Sequence, residues 1–225
     1  RGIMLFTREQ LEAMIGLCHK SGMQVAIHAI GDGALDILLD CIEKAKKEFP
    51  RENERHGIIH CQVTSHAQVD RMREMDLIAY IQPIFLNYDL EIVEDRLGPE
   101  RAATAYNWKE FVEKGIHTVG GSDCPVESLD IMENIYAAVQ RKNLRGEPAA
   151  GWRTGQCLTV EEALRMFTIE GAYASFGEDR RGSITPGKSA DFVIIDENIR
   201  AIDPEAIKDI RVKQTWVEGE QVYAL

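Results

Sequence analysis

Three side chains in this sequence have the type and spacing to hold a metal ion. His28, His60 and Asp123 each stand at or near the C-terminal end of a short apolar run, the runs being residues 25–30, 57–61 and 116–123. Neutral imidazole and carboxylate are the ligands of a zinc-like ion, and three of them with one position left open form a catalytic rather than a structural site. Their spacing suits a shared site. His28 and His60 are one βα period apart and His60 and Asp123 two, so all three could point into the mouth of one barrel.

The remaining histidines read as structural or exposed. His19 lies near a helix C-terminus, where a cation suits the dipole. His56 and His117 fall at strand starts, the end away from chemistry in a parallel α/β fold, and His66 opens a helix. Cys61 and Cys124 adjoin the candidate ligands and raise the question of a thiol nucleophile. Strand alternation turns Cys61 away from the face that His60 would occupy. For Cys124, already past its strand, that argument is weaker.

The elements that must position these residues alternate in type. Thr7 to Gln10, Ser65 to Gln68 and Thr159 to Glu162 have capping-box form, each opening a run of apolar residues at helical spacing. The short runs at 25–30, 57–61 and 77–81 lack polar alternation, as strands buried on both faces do. A fourth run, 116–123, ends Gly-rich. From the first to the fourth strand start is about ninety residues, or about thirty per βα unit, which favours a parallel α/β sheet or barrel. A longer segment separates Gln82-Pro83 from a helix around Trp108, Phe111 and Val112, and another helix carries Leu129 to Val139. Beyond Gly177 the pattern turns to β, first over 182–191, then 192–195, then a hairpin turning at Glu218-Gly219.

Composition narrows the partners. The chain has 225 residues, 44% apolar and 28% charged, with a formal net charge of −11. That acidity argues against nucleic acid or an anionic membrane as partner, since both need a basic surface. No apolar run reaches the ~18 residues of a membrane-spanning helix, and no signal-peptide pattern opens the chain. Five scattered cysteines without a CxxC give no disulfide framework, so a reducing cytoplasm is the simplest setting. Nucleotide-loop fingerprints and the G-x-S-x-G elbow are missing, which leaves a Rossmann, P-loop or serine-hydrolase reading without support.

Taken together, His28-Ala-Ile-Gly-Asp32, Arg55-His-Gly-Ile-Ile-His-Cys-Gln62, Gln82-Pro83 and Gly121-Ser-Asp-Cys-Pro-Val-Glu127 resemble the metal-dependent amidohydrolases, in the branch called amidohydrolase family 3 or YtcJ-like. The stretch 158–164, the Pro-Gly-Lys-Ser-Ala-Asp run ending at Asp191 and the tail 217–223 are similar to that family's last helix and returning β-strands. The resemblance implies a (β/α)8 barrel whose chain begins and ends in a small β-sandwich. It implies that His28 and His60 are the metal ligands after barrel strands five and six. Asp123, after strand eight, is then both ligand and general base, taking a proton from the attacking water and passing it to the leaving amine. One or two divalent ions, zinc foremost, would be the cofactor, and a small-molecule amide the substrate.

The family's His-x-His after the first strand has no counterpart here, and only 27 residues precede His28. The expectation is therefore the C-terminal half of a TIM-type barrel, strands five to eight, over residues 1–176, followed by strands of the β-sandwich over 177–225. Such a chain would be a metal-dependent hydrolase of carbon–nitrogen bonds with an incomplete metal site. The alternative is a catalytically silent half barrel that serves binding or assembly. Open sheet edges favour a homo-oligomer, or pairing with a missing N-terminal half.

Overall fold

A computed structural model describes residues 2–225. It forms two compact units: residues up to Ile81 with Glu94–Thr118, and Gln82–Val93 with Val119–Leu225. One sheet holds β1 (Ala26–Ala29), β2 (Gly57–His60), β3 (Ile78–Ile81) and β4 (Thr118–Gly120) in the order β1-β2-β3-β4, with β1, β2 and β3 paired in parallel. Neighbours in the chain are neighbours in the sheet, as repeated βα crossovers produce.

In the first unit, α1 (Arg8–Lys20) precedes β1, α2 (Asp32–Glu48) joins β1 to β2, and α3 (His66–Glu74) joins β2 to β3. Capping boxes open α1 and α3. Thr7 accepts from the Gln10 amide while the Gln10 side chain accepts from the Thr7 amide, and Ser65 and Gln68 repeat the exchange. Each box satisfies two amides that a helix start leaves orphaned. Helix α2 buries Leu35, Leu38, Leu39, Ile42 and Ala45, and α3 buries Val69 and Met72. The sheet face beneath them carries Ala29, Ile58, Ala79 and Ile81, all buried. On the opposite face Ala26 and His28 are exposed and Ile59 and Tyr80 half-buried. No side chain fits on Gly57, because a Cβ there would lie 2.4 Å from the Tyr80 ring.

Short helices fill the long segment after β3: α4 (Leu86–Asp89) and α5 (Val93–Leu97), then α6 (Pro99–Ala102) and α7 (Trp108–Glu113). Only α7 has a readable apolar face, with Trp108 and Phe111 buried.

In the second unit α8 (Ile131–Gln140) is capped by the Asp130 carboxylate and buries residues all round, Met132, Asn134, Ile135, Tyr136 and Ala137 among them. Helix α9 (Val160–Met166) opens with the third capping box, and α10 (Ile169–Ala174) follows. An antiparallel sheet ordered β5-β6-β7 closes the chain, built from β5 (Phe192–Ile195), β6 (Val212–Val217) and β7 (Glu220–Ala224). Phe192 and Trp216 face each other in register and stack 5.6 Å apart. The hairpin turns at Glu218 and Gly219, with φ of 52° and 84°, the double positive φ of a type I′ turn. Residues 182–191 were expected as strand and are not one. They form turns, because Pro186, Gly187 and the left-handed Gly182 interrupt any ladder. The five cysteines carry no disulfide. Among the described residues no helix is long and apolar enough to cross a membrane.

Candidate functional site

Two of the three expected ligands meet in the first unit. The rings of His28 and His60 lie edge to face, 4.4 Å between centroids and 77° between planes. Strand pairing alone would not bring them together. The register sets His28 opposite Ile59 and Ala29 opposite His60, so regular alternation would put the imidazoles on opposite faces of the sheet. His60 instead has a φ of 84° and Cys61 a φ of 49°. Leaving extended geometry at the last strand residue swings the His60 ring towards His28. Two consecutive non-glycine residues in that region cost about 1–3 kcal/mol each, and such strain clusters at functional sites.

Cys61 is buried and its thiol donates to the Ile58 carbonyl at 3.4 Å. Burial pushes that thiol well above the usual range, so it stays protonated and is no nucleophile. Cys61 itself has a positive φ, so strand alternation no longer sets the direction of its side chain.

Asp123 belongs to the second unit. It sits three residues past β4 in a turn, exposed, with a φ of 57°, and its carbonyl accepts the Val126 amide at 2.8 Å. The β4 end beside it is tight: a Cβ on Gly120 would lie 2.5 Å from the Phe167 ring. Nearby Glu127 has its carboxyl raised above the ordinary range, first by burial and then by the charges of Asp89 and Glu133.

His19 and His56 are structural, and they act as a pair. Both are buried, and their rings join at 2.8 Å. The Val25 amide donates to His56 Nδ1 at 3.0 Å, which leaves His56 Nε2–H to donate to His19 Nδ1 and His19 Nε2–H to donate to the Phe49 carbonyl at 2.6 Å. Desolvation, then the neighbouring His19, lowers the His56 pKa to about 4. The cation at the end of α1 is Arg51, which donates to the carbonyls of His19, Gly22 and Met23. It arrives from about thirty residues away, beyond the reach of a local reading.

His66 is also more than exposed. Its Nδ1 donates to Glu110 at 2.8 and 2.9 Å, and Asn107 donates to the same carboxylate at 2.9 Å. No local signal pairs His66 with a residue 44 positions on.

In donor chemistry the residues suit a divalent cation: two adjacent imidazoles, His28 exposed and His60 buried. In number they suit it only in part, since among the described residues no group of three or more His, Cys, Asp or Glu side chains could hold an ion.

The model of the amidohydrolase family matches residues 1–223. The chain belongs to the amidohydrolase family. It is 36% identical over 223 residues to YtcJ of Bacillus subtilis, a protein named as an amidohydrolase, covering 99% of this chain and 41% of that one. It is 24% identical over 219 residues to an N-substituted formamide deformylase of Arthrobacter pascens, covering 97% of this chain and 40% of that one. Among solved structures it resembles a metal-dependent hydrolase from Pyrococcus horikoshii, with a TM-score of 0.77, 27% identity, and coverage of 90% of this chain and 40% of that one. The chain thus spans about two fifths of the length of these amidohydrolase relatives.

Proposed function

We propose that this chain carries the ligands and base of a metal-dependent hydrolase acting on carbon–nitrogen bonds of non-peptide amides. In this reading its four parallel strands are the last four of a (β/α)8 barrel. His28 and His60 would hold a divalent cation, zinc foremost, and the family resemblance gives Asp123 the part of further ligand and base. Bound there, the cation would supply Lewis-acid polarisation of the scissile carbonyl. The chain's own part is to orient the two imidazoles against each other and to offer the Asp123 carboxylate as proton acceptor for water and donor to the leaving amine. Family membership and the deformylase among the relatives support an amide substrate. The observation that carries the reading is the ring contact between His28 and His60, reached through a strained φ at His60.

Calorimetric titration of the intact chain with Zn²⁺ tests it. One ion per chain is expected, with binding lost in His28→Ala and in His60→Ala. No binding, or binding that both variants retain, would overturn the ligand assignment. A second reading, a silent half barrel for binding or assembly, draws on the missing third donor among the described residues. The same titration separates the two.

A further inference from the structure

The conformation at His60 needs something to hold it. Regular strand register ends at His60, opposite Ala29, where φ turns positive. Residues such as His60 and Cys61 stay in a sparsely populated region only when their surroundings over-determine them. Part of that hold is direct, since the Cys61 amide donates to the Ala29 carbonyl at 3.2 Å and the Val63 amide to the Ile30 carbonyl at 2.9 Å, and the rest comes from residues 98–107, in the first unit. This segment enters through Gly98 at a φ of 75°, where a non-glycine residue would be strained, and leaves through Tyr106 at a φ of 55°.

Between those two turns it grips the loops that follow both histidine strands. After β1, the Arg101 guanidinium forks onto the Asp32 carboxylate, Nη2 to Oδ1 and to Oδ2 both at 2.7 Å and Nε to Oδ2 at 3.2 Å. Asp32 is the first residue of α2, four positions beyond His28. After β2, Val63 forms an antiparallel bridge with Ala105, and the Tyr106 amide donates to the Gln62 carbonyl at 2.7 Å. Gln62 and Val63 lie two and three positions beyond His60. Gln68 of α3 adds a tie between the loops, donating to the Asp32 carbonyl at 2.9 Å.

We infer that residues 98–107 form a strap that fixes the angle between the His28 and His60 rings, with Arg101 as its positioning residue. Arg101 touches neither imidazole. It holds one end of the strap to the His28 loop while the other end holds the His60 loop, and a planar two-point fork restrains direction as well as distance. The consequence for metal binding rests on the ligand reading above, whereas the ring geometry does not.

The experiment therefore reads both on the intact chain. The side-chain proton resonances of His28 and His60 are recorded by NMR in the metal-free protein, where an edge-to-face contact displaces them by ring current. Zn²⁺ affinity is then measured by calorimetry. Arg101→Gln is expected to move both sets of resonances towards their unstacked positions and to weaken Zn²⁺ about tenfold, as loss of a ligand-orienting partner does. Arg101→Lys keeps the charge without the fork and is expected to fall between, and it decides the matter should Arg101→Gln not fold. Lys44→Ala, which removes a comparable exposed ion pair with Glu12, is expected to leave the resonances in place. Unchanged His28 and His60 resonances in both Arg101 variants would overturn the strap, whatever the Zn²⁺ result. If wild-type chain binds no Zn²⁺, the ligand reading falls and the resonances still decide the strap.

Discussion

At the scale of single residues, the buried His19–His56 pair is a pH-sensitive feature of the molecule. Its hydrogen bonds use every ring nitrogen with one proton per ring, so an added proton on His56 finds no acceptor. The groups around it are mixed: His19, Lys46 and Arg51 disfavour protonation of His56 and Glu54 favours it. With a folded pKa of about 4 against an ordinary 6.5, the unfolded chain binds the proton first. Stability from this group is therefore complete above about pH 6.5 and drains away as pH falls towards 4. The loss is about 3 kcal/mol at most. Urea unfolding at a series of pH values is expected to show that decline, and His56→Gln to flatten it. A wild-type midpoint constant from pH 7 to 4.5 would contradict the assignment. Residue types placed His28 and His60 at strand ends and Asp123 just past one, because strand ends are readable from apolar runs. They told little about His19, His56 and His66, whose partners lie 30 to 44 positions away.

Among the elements, local signals were most dependable where the chemistry is local. All three capping boxes exist as read, because Thr or Ser and a Gln or Glu three positions on need only each other. The strands β1 to β3 were legible from runs too short and too apolar to be amphipathic helices. Helices α4 to α6 were not, since four or five residues are less than two turns and leave no periodicity to detect. The turn-rich stretch 182–191 was taken for strand because Ser, Ile and Thr suit one, but its Pro and Gly residues prevail. Two substitutions follow from this level. Thr159→Ala removes the α9 cap and is expected to cost about 1 kcal/mol. Gly16→Ala, in α1 with nothing within 4 Å of the new methyl, is expected to add about 0.5–1 kcal/mol. Thermal melts of both variants check the pair, and a destabilising Gly16→Ala would mean that the α1 surface is more crowded than it is drawn here.

For the whole molecule, burial is uneven in a way that hydrogen exchange can read. Ile58, Ala79 and Ile81 of the parallel sheet are buried, whereas every residue of β7 is exposed. Opening free energies follow local burial and contact. Amides of β2 and β3 are expected to exchange slowest and those of β7 among the fastest in regular structure. Equal protection in the two sheets would show that something covers β7 in solution. The α/β order was legible at this scale because parallel crossovers impose a period. The division into two units was not, since the segment Gln82–Val93 joins residues far along the chain.

The outer edges of β5 and β7 have no neighbouring strand among the described residues, and β7 leaves Val222 and Tyr223 open to water. Such edges invite strand addition between copies. What opposes it is charge: Glu218 lies in the turn and Glu220 just after it, and the molecule as a whole carries −11. Near the pI of about 5.1 that repulsion vanishes, in the same pH interval where protonating His56 loosens α1. Mild acid thus removes colloidal and conformational protection together, and turbidity there reports both at once.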